Sequence, residues 1–161
     1  VGNGHSPAHA CLYCPALDLL ISGDQILPRI SSNVSVYPDE PEADPMSDWL
    51  DTLGRLREAV PPSALVLPAH NECFRGLHAR IDALEDGQMR ALDRLRAALD
   101  RPRRVVDLLE AIFRRPIPMD SSQVGLATGE AVASLNHLMR RGEVTRQLDG
   151  AAVAWYSLAT R

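Results

Sequence analysis

Three residues of the types that bind transition metals lie beside predicted strand ends, each close to a glycine or a proline. His5 belongs to G-H-S-P-A-H before the first predicted strand, Asp24 to S-G-D after the second, and His70 to L-P-A-H after the third. If these strands are neighbours in one sheet, the three side chains converge on one edge of it. Imidazole and carboxylate groups suit zinc, manganese or iron. The pattern therefore predicts a metal site formed by these three residues.

The hydrophobic pattern predicts the elements that must position these residues. Apolar runs at 9–14, 17–22 and 64–67 are typical of short strands. A helix is expected to begin at the proline that follows Asp44, because an acceptor followed by proline is a typical helix start. The acidic, proline-rich stretch 37–45 before it is expected to be a surface loop. The order strand, strand, helix, strand favours layers of helix and sheet over a helical bundle.

The second part of the chain has a helical pattern. Apolar residues recur at helical spacing over 77–99, where Gly87 could divide the stripe into two helices. Shorter amphipathic helices are predicted at 105–113 and 129–141. A hairpin is predicted over 143–158, around an Asp-Gly pair. Helix, helix and hairpin in this order are typical of a winged helix.

The charge distribution indicates two domains, which we place at 1–76 and 77–161. Residues 1–100 carry a net charge of −7 and residues 101–161 a net charge of +3. The basic second part leaves open a nucleic-acid-binding winged helix or a nuclease accessory domain, whose exposed face would include these residues: Ser134, Asn136, His137, Arg140, Arg141 and Arg146. The overall net charge of −4 disfavours this alternative, so nucleic acid is not an expected partner.

Cysteine usage and hydropathy bear on the compartment. Three cysteines without a disulfide framework indicate a reducing compartment, so we expect a cytoplasmic protein. Cys11 and Cys14 form C-x-x-C, but on a strand their side chains would point to opposite faces, which argues against a metal or redox motif. No apolar run approaches the roughly 18 residues of a membrane span, so no membrane partner is expected.

The motifs G-H-S-P-A-H, I-S-G-D-Q-I-L and L-P-A-H resemble, in type and order, those of the metallo-β-lactamase fold superfamily. The later stretches V-V-D-L-L-E-A-I-F-R-R and G-L-A-T-G-E-A-V-A-S-L-N-H-L-M-R-R-G resemble the branch that carries a C-terminal winged helix. The resemblance implies an α+β fold, the second half of an αββα sandwich followed by a winged-helix domain. It also implies that His5, Asp24 and His70 are metal ligands, with Asp24 bridging two metals. His9 would not bind metal itself but would contact the ligands or have a structural role. His78 would either line the substrate cleft or cap a helix.

The resemblance further implies a metal-dependent hydrolase. Two divalent ions, zinc with manganese or iron as alternatives, would provide a metal-bound hydroxide that attacks an ester, thioester, lactam or phosphodiester. The family motif H-x-H-x-D-H, which supplies further ligands, is absent from the sequence. We therefore expect the C-terminal part of a longer enzyme, inactive and metal-poor alone. The N-terminal half or a partner chain would complete it, and a homodimer is a further arrangement. The expected substrate is a small molecule or an ester-type compound.

Overall fold

The computed structural model describes residues 1–114, 117 and 121–160, except for the side chains of 121 and 122. The chain forms two compact units. The first comprises Val1–Val34 and Pro45–Gly87, and the second comprises Ser35–Asp44 and Gln88–Arg161. These units are groups of residues that pack together, and they do not test domain bounds along the sequence. The bounds 1–76 and 77–161 therefore stay a prediction. Within the described ranges, no helix has the length and apolar character needed to cross a membrane.

A three-stranded mixed sheet organises the first unit. Strand β1 (Leu12–Cys14) pairs antiparallel with β2 (Leu19–Gly23), and β2 pairs in parallel with β3 (Leu65–Pro68). The three predicted strands are confirmed. The first two are shorter than expected because a turn of 3-10 helix, Pro15–Leu17, separates them. A proline has no backbone N–H to offer a neighbouring strand, which explains why β1 stops before it.

Helix α1 (Pro45–Ala59) completes the core of the first unit. It begins at the predicted proline, directly after Asp44, and presents its apolar side to the sheet residues of the same core. The helix contributes buried Met46, Trp49 and Leu53 to this core. The core also contains buried residues of the strands and of the next helix: Leu20, Val66, Leu77, Ile81 and Leu84.

Helix α2 (Leu77–Ala98) is continuous, so the break considered at Gly87 does not occur. An interior glycine costs a helix only about 1 kcal/mol relative to alanine. Leucines on both sides of it are buried, which offsets that cost. Leu84 lies in the core of the first unit, and Leu92 and Leu95 lie in the core of the second.

The second unit combines helices with a hairpin, so both units have a mixed α+β composition, as predicted. Its elements after α2 are a 3-10 turn at Val105–Asp107, α3 (Leu109–Phe113), α4 (Ser121–Arg140), β4 (Val144–Leu148) and β5 (Ala154–Leu158). The predicted hairpin is confirmed, with β4 and β5 antiparallel. Helix α3 is shorter than predicted because its first turn is tightened into the 3-10 segment, which an ion pair between Arg104 and Asp107 holds.

Helix α4 begins well before the predicted start at Gly129. This glycine lies inside the helix and faces the segment Ser35–Asp44, which we call the strap. A Cβ on Gly129 would lie 2.8 Å from Cβ of Ser35, and the Val36 N–H donates to the Gly129 carbonyl oxygen at 3.1 Å. The glycine therefore permits close approach of the strap and does not mark a helix end.

The strap also covers the polar side of α4. The Asn136 Nδ2 amide donates to the carbonyl oxygens of Pro41 and Ala43, both at 2.9 Å. His137 lies with Nδ1 3.7 Å from Oδ1 of Asp44. Ser134, Asn136 and His137 are consequently buried, so the prediction that they form an exposed face is wrong. Polar type alone indicated exposure, but the strap supplies their surroundings.

We expect Asn136→Ala to lower the free energy of unfolding by about 1–3 kcal/mol, because two strap carbonyls lose their donor in a buried place. Urea denaturation of the two proteins measures the difference. Gln147→Ala is the control, since Gln147 is an exposed amide on β4 and should change stability by less than about 0.5 kcal/mol. Equal effects of the two substitutions would show that Asn136 does not hold the strap.

Glu143 is held between two arginines at the start of the hairpin. Its Oε2 accepts from Nε of Arg96 at 2.7 Å and its Oε1 from Nε of Arg141 at 2.6 Å. The hydrogen bond from Arg96, followed by that from Arg141, lowers the pKa of Glu143 to about 2. The ion pairs are thus fully formed at neutral pH.

A carboxyl group whose pKa is lower in the folded state stabilises the fold above its ordinary pKa of about 4.3, and this contribution is lost as the pH falls towards the folded value. We therefore expect the stability of the unaltered chain to fall more between about pH 5 and pH 2 than that of Glu143→Gln. Urea denaturation at both pH values tests this. Glu110→Gln, at an exposed position of α3, should retain the full pH dependence.

Candidate metal centre

The parallel pairing of β2 and β3 brings Asp24 and His70 together. Parallel strands end at the same edge of a sheet, and Gly23 at the end of β2 pairs with Pro68 at the end of β3. The Ala69 N–H then donates to the Gly23 carbonyl oxygen at 3.0 Å. As a result, Nε2 of His70 lies 3.2 Å from Oδ1 of Asp24. The structure places these two residues as the sequence predicted.

The N-terminal segment carries His5 to the other oxygen of the same carboxylate. Nε2 of His5 lies 3.8 Å from Oδ2 of Asp24. Gly4, directly before it, has φ of +101°, and its backbone lies against α1. A Cβ on Gly4 would lie 2.3 Å from Cβ of Trp49, so only glycine allows this approach. The three predicted ligands therefore share one place, with Asp24 in the middle.

A backbone hydrogen bond orients the His5 ring. Its Nδ1 lies 2.8 Å from the carbonyl oxygen of Asn33, which can only accept. Nδ1 therefore carries a proton, and in the neutral form of the ring this leaves the lone pair on Nε2, on the side of Asp24. Such a contact to a backbone carbonyl is common for histidines that bind metals, because it fixes the tautomer. Two electron-pair donors that face each other are suited to a cation.

The backbone of Asp24 is fixed by residues that the sequence analysis missed. The buried Ser32 hydroxyl donates to the carbonyl oxygens of Asp24 and Gln25. The Gln25 side chain, also buried, donates to the carbonyl oxygen of Asn3 at 2.9 Å. Gln25 directly follows the S-G-D motif, and a polar residue there was the available signal. Ser32 and Asn33 reach the site only because the loop after β2 folds back.

The two supporting histidines lie in different places. His9 is next to His5, with ring centroids 5.5 Å apart in an edge-on arrangement, and its Nδ1 is 3.1 Å from Oγ of Ser6. His78 lies at the start of α2, where Nε2 is 2.8 Å from the carbonyl oxygen of Val60 beyond the end of α1. This contact agrees with the helix-capping alternative for His78. The roles predicted for both in the site stay predictions.

The three arginines proposed to bind nucleic acid are each paired with an acid of the second unit. The pairs are Arg140 with Asp44, Arg141 with Glu143, and Arg146 with Glu42. Affinity for nucleic acid depends mainly on cations available to neutralise phosphates. The pairing therefore gives the nucleic-acid alternative no support.

The cysteines take no part in these contacts. All three are free thiols, and Cys11 lies just before β1 with Sγ 3.6 Å from the carbonyl oxygen of Ser22. Burial raises the pKa of Cys11, which keeps the thiol protonated and unreactive near neutral pH. This agrees with the interpretation of C-x-x-C as an accident of sequence.

The donors fit a divalent metal in kind. One carboxylate offers an oxygen towards each of two imidazoles, and these are common ligands of zinc. In number they do not complete a site, because a catalytic zinc takes three protein ligands and an open position. Across the described part of the chain, no three or more His, Cys, Asp or Glu side chains are grouped so as to hold an ion. The donors are therefore of a kind that divalent metals take, but too few to make a complete site.

Family comparisons agree with this geometry. Residues 1–70 match the family profile "Metallo-beta-lactamase superfamily", and residues 92–159 match "Metallo-beta-lactamase-like, C-terminal domain". Both matched stretches are thus similar to domains of the metallo-beta-lactamase superfamily, and the mixed α+β fold is consistent with that similarity.

Two solved structures are similar over nearly the whole chain. One is a beta-lactamase domain protein from Burkholderia ambifaria, with 42% identity over 98% of this chain and a TM-score of 0.92. The other is a metallo-beta-lactamase family protein from Thermus thermophilus, with 26% identity over 97% of this chain and a TM-score of 0.81. The chain spans 46% and 47% of their respective lengths, so it corresponds to about half of each. No curated protein sequence matches it.

Proposed function

We propose that the protein carrying this chain is a metal-dependent hydrolase to which residues 1–70 contribute part of a two-metal centre. The observation that supports this is the position of the Asp24 carboxylate, with one oxygen 3.8 Å from His5 and the other 3.2 Å from His70. His5, Asp24 and His70 would together hold the metal, with Asp24 supplying negative charge between the two imidazoles. Similarity to the metallo-beta-lactamase superfamily supports the same class of activity.

Each chain residue has a defined task in this proposal. His5 offers Nε2 because Asn33 holds the proton of the ring on Nδ1. The Ser32 hydroxyl holds the backbone of Asp24 in place, which limits the positions that the Asp24 side chain can reach. Two bound divalent ions, zinc or alternatively manganese or iron, would polarise the substrate and acidify a water molecule. The substrate class is an ester, thioester, lactam or phosphodiester.

The test is a hydrolysis assay on the full-length protein with one representative of each substrate class. We expect activity on at least one class, loss of that activity after chelation, and its return on addition of zinc or manganese. A protein that is fully active after chelator treatment, with no metal by elemental analysis, would contradict the proposal. The assay also identifies the metal, since the ion that restores most activity is measured directly.

We expect residues 1–161 alone to bind zinc weakly, with far less than one ion per chain after dialysis. Three donors are present where two metals need several more. Elemental analysis of the dialysed chain and of the full-length protein, treated in parallel, measures the difference. Tightly held zinc at one ion per chain in a monomer would show that these residues suffice.

We also propose that the second unit is a winged-helix domain with an architectural or substrate-gating role, in a cytoplasmic protein. The order of α3, α4 and the hairpin supports this. So does the antiparallel bridge between Arg103 and Tyr156 of β5, which places a third extended segment beside the hairpin. The ion pairs of Arg140, Arg141 and Arg146 disfavour a nucleic-acid reader. Titration of the full-length protein with random duplex DNA at about 0.15 M salt should show no micromolar binding.

A further inference from the structure

Gly23 is the point at which the three ligand-bearing segments of the first unit meet. Asp24 directly follows Gly23 in the chain. The Gly23 carbonyl oxygen accepts a hydrogen bond from the N–H of Ala69, which precedes His70. The Gly23 φ of +56° lies in the left-handed region, which turns the chain sharply between β2 and Asp24. Any displacement of Gly23 therefore moves Asp24 and alters its distance to His70.

The ring of His9 occupies the space that a side chain on Gly23 would need. A Cβ at this position would lie 2.5 Å from Nε2 and 3.1 Å from Cε1 of His9. Nε2 is buried and has no hydrogen-bond partner among the described residues. Buried polar atoms in native proteins are normally paired, so this one requires an explanation. Steric support of Gly23 by the ring explains why a histidine is held here without that pairing.

The same ring also supports His5. The two rings meet edge-on at 79°, with centroids 5.5 Å apart. His9 is itself anchored, because its carbonyl oxygen accepts from the Gly2 N–H at 2.7 Å and its Nδ1 contacts Oγ of Ser6. One side of the ring thus touches a predicted ligand, and another side touches the turn that carries the next.

We infer that His9 is a positioning residue: its ring, wedged between His5 and Gly23, sets the distance between the His5 and Asp24 donors. The inference rests on the proposed metal centre. It assigns His9 no bond to metal and no proton transfer. Gly23 and the His9 ring are packed directly against each other. The effects of changing them on zinc affinity must therefore be coupled.

The test compares four variants of the full-length protein: His9→Ala, His9→Phe, Gly23→Ala and the double variant Gly23→Ala with His9→Ala. Zinc affinity and the visible absorption spectrum of the cobalt-loaded protein are the readouts. We expect His9→Ala to weaken zinc binding by about 10–100-fold and to change the cobalt spectrum. His9→Phe keeps an aromatic ring but loses the contact of Nδ1 with Ser6, so it should weaken zinc binding less than His9→Ala does. A loss with phenylalanine as large as the loss with alanine would overturn the inference, because the ring itself would then not position the donors.

The double variant measures the coupling between Gly23 and the His9 ring. Gly23→Ala forces a Cβ against the ring, and removing the ring makes room for it, so the double variant should lose less affinity than the product of the two single losses. Losses that simply multiply would overturn the inference. The urea midpoint of the metal-free proteins gives the same comparison without any metal. If the unaltered protein binds no metal, the proposed function fails, while this second readout still tests the contact.

Discussion

Asp24→Asn in the full-length protein is expected to lower kcat/KM by at least about 100-fold. The carboxylate lies between two imidazoles and offers one oxygen to each side. An asparagine keeps the shape but replaces one of these oxygens with an NH2 group, which has no lone pair for a cation. It also removes the negative charge that two cations would share. Steady-state kinetics and elemental analysis of the purified variant measure both consequences.

Asp51→Asn is the matched control, because it makes the same chemical change at an exposed position of α1. It should leave both kcat/KM and metal content unchanged. The loss in the Asp24 variant should be accompanied by a lower metal content, since the side chain would act as a ligand. Near-normal turnover with full metal occupancy in Asp24→Asn would remove Asp24 from the centre, whatever the control shows.

Gly4→Ala is expected to destabilise the first unit by roughly 2–6 kcal/mol, the sum of a strained backbone angle and an overpacked contact. The φ of +101° is costly for any residue with a Cβ, and that Cβ would lie 2.3 Å from the side chain of Trp49. Trp49 cannot move away, because it is buried and its Nε1 donates to the carbonyl oxygen of Gln25. Thermal and urea denaturation, with tryptophan fluorescence as the probe, measure the effect.

Gly54→Ala is the contrasting substitution, because Gly54 lies in α1, the helix against which Gly4 packs. A Cβ there meets nothing within 4 Å, and alanine favours the helix, so stability should rise by up to about 1 kcal/mol. Opposite signs for the two substitutions would show that close approach of the G-H motif to α1 is what requires glycine. A Gly4→Ala protein as stable as the unaltered one would contradict the geometry around His5.

The strand ends that carry the proposed ligands could be predicted because their signals are local. An apolar run that stops at Gly-Asp or Pro-Ala-His marks a strand end, and strands that share a sheet bring such ends together. The approach of Asp24 to His70 also needs the parallel pairing of β2 with β3, which can only be assumed from the sequence. The orientation of His5 could not be predicted, because it depends on the carbonyl group of Asn33, whose sequence neighbours carry no motif.

The burial of one face of α4 could not be predicted for the same reason. His137 and Asn136 are polar residues in a helix, and without knowledge of their partners exposure is the natural interpretation. Their partners Asp44 and Ala43 lie more than ninety positions earlier, in a stretch whose prolines and acids predict only a loop. Polarity in a sequence does not distinguish a solvated side chain from one that binds a distant backbone.

The strap has a consequence for the order in which the chain can fold during synthesis. Residues Ser35–Asp44 leave the ribosome early, yet the Asn136 amide that binds Pro41 is separated from it by 95 positions. Contacts of such long sequence separation form slowly, because a large loop must close first. The nascent first unit must therefore carry an unattached ten-residue stretch between Asp24 and α1 until α4 is made. Closure of this loop is therefore expected to be a late step in assembling the chain.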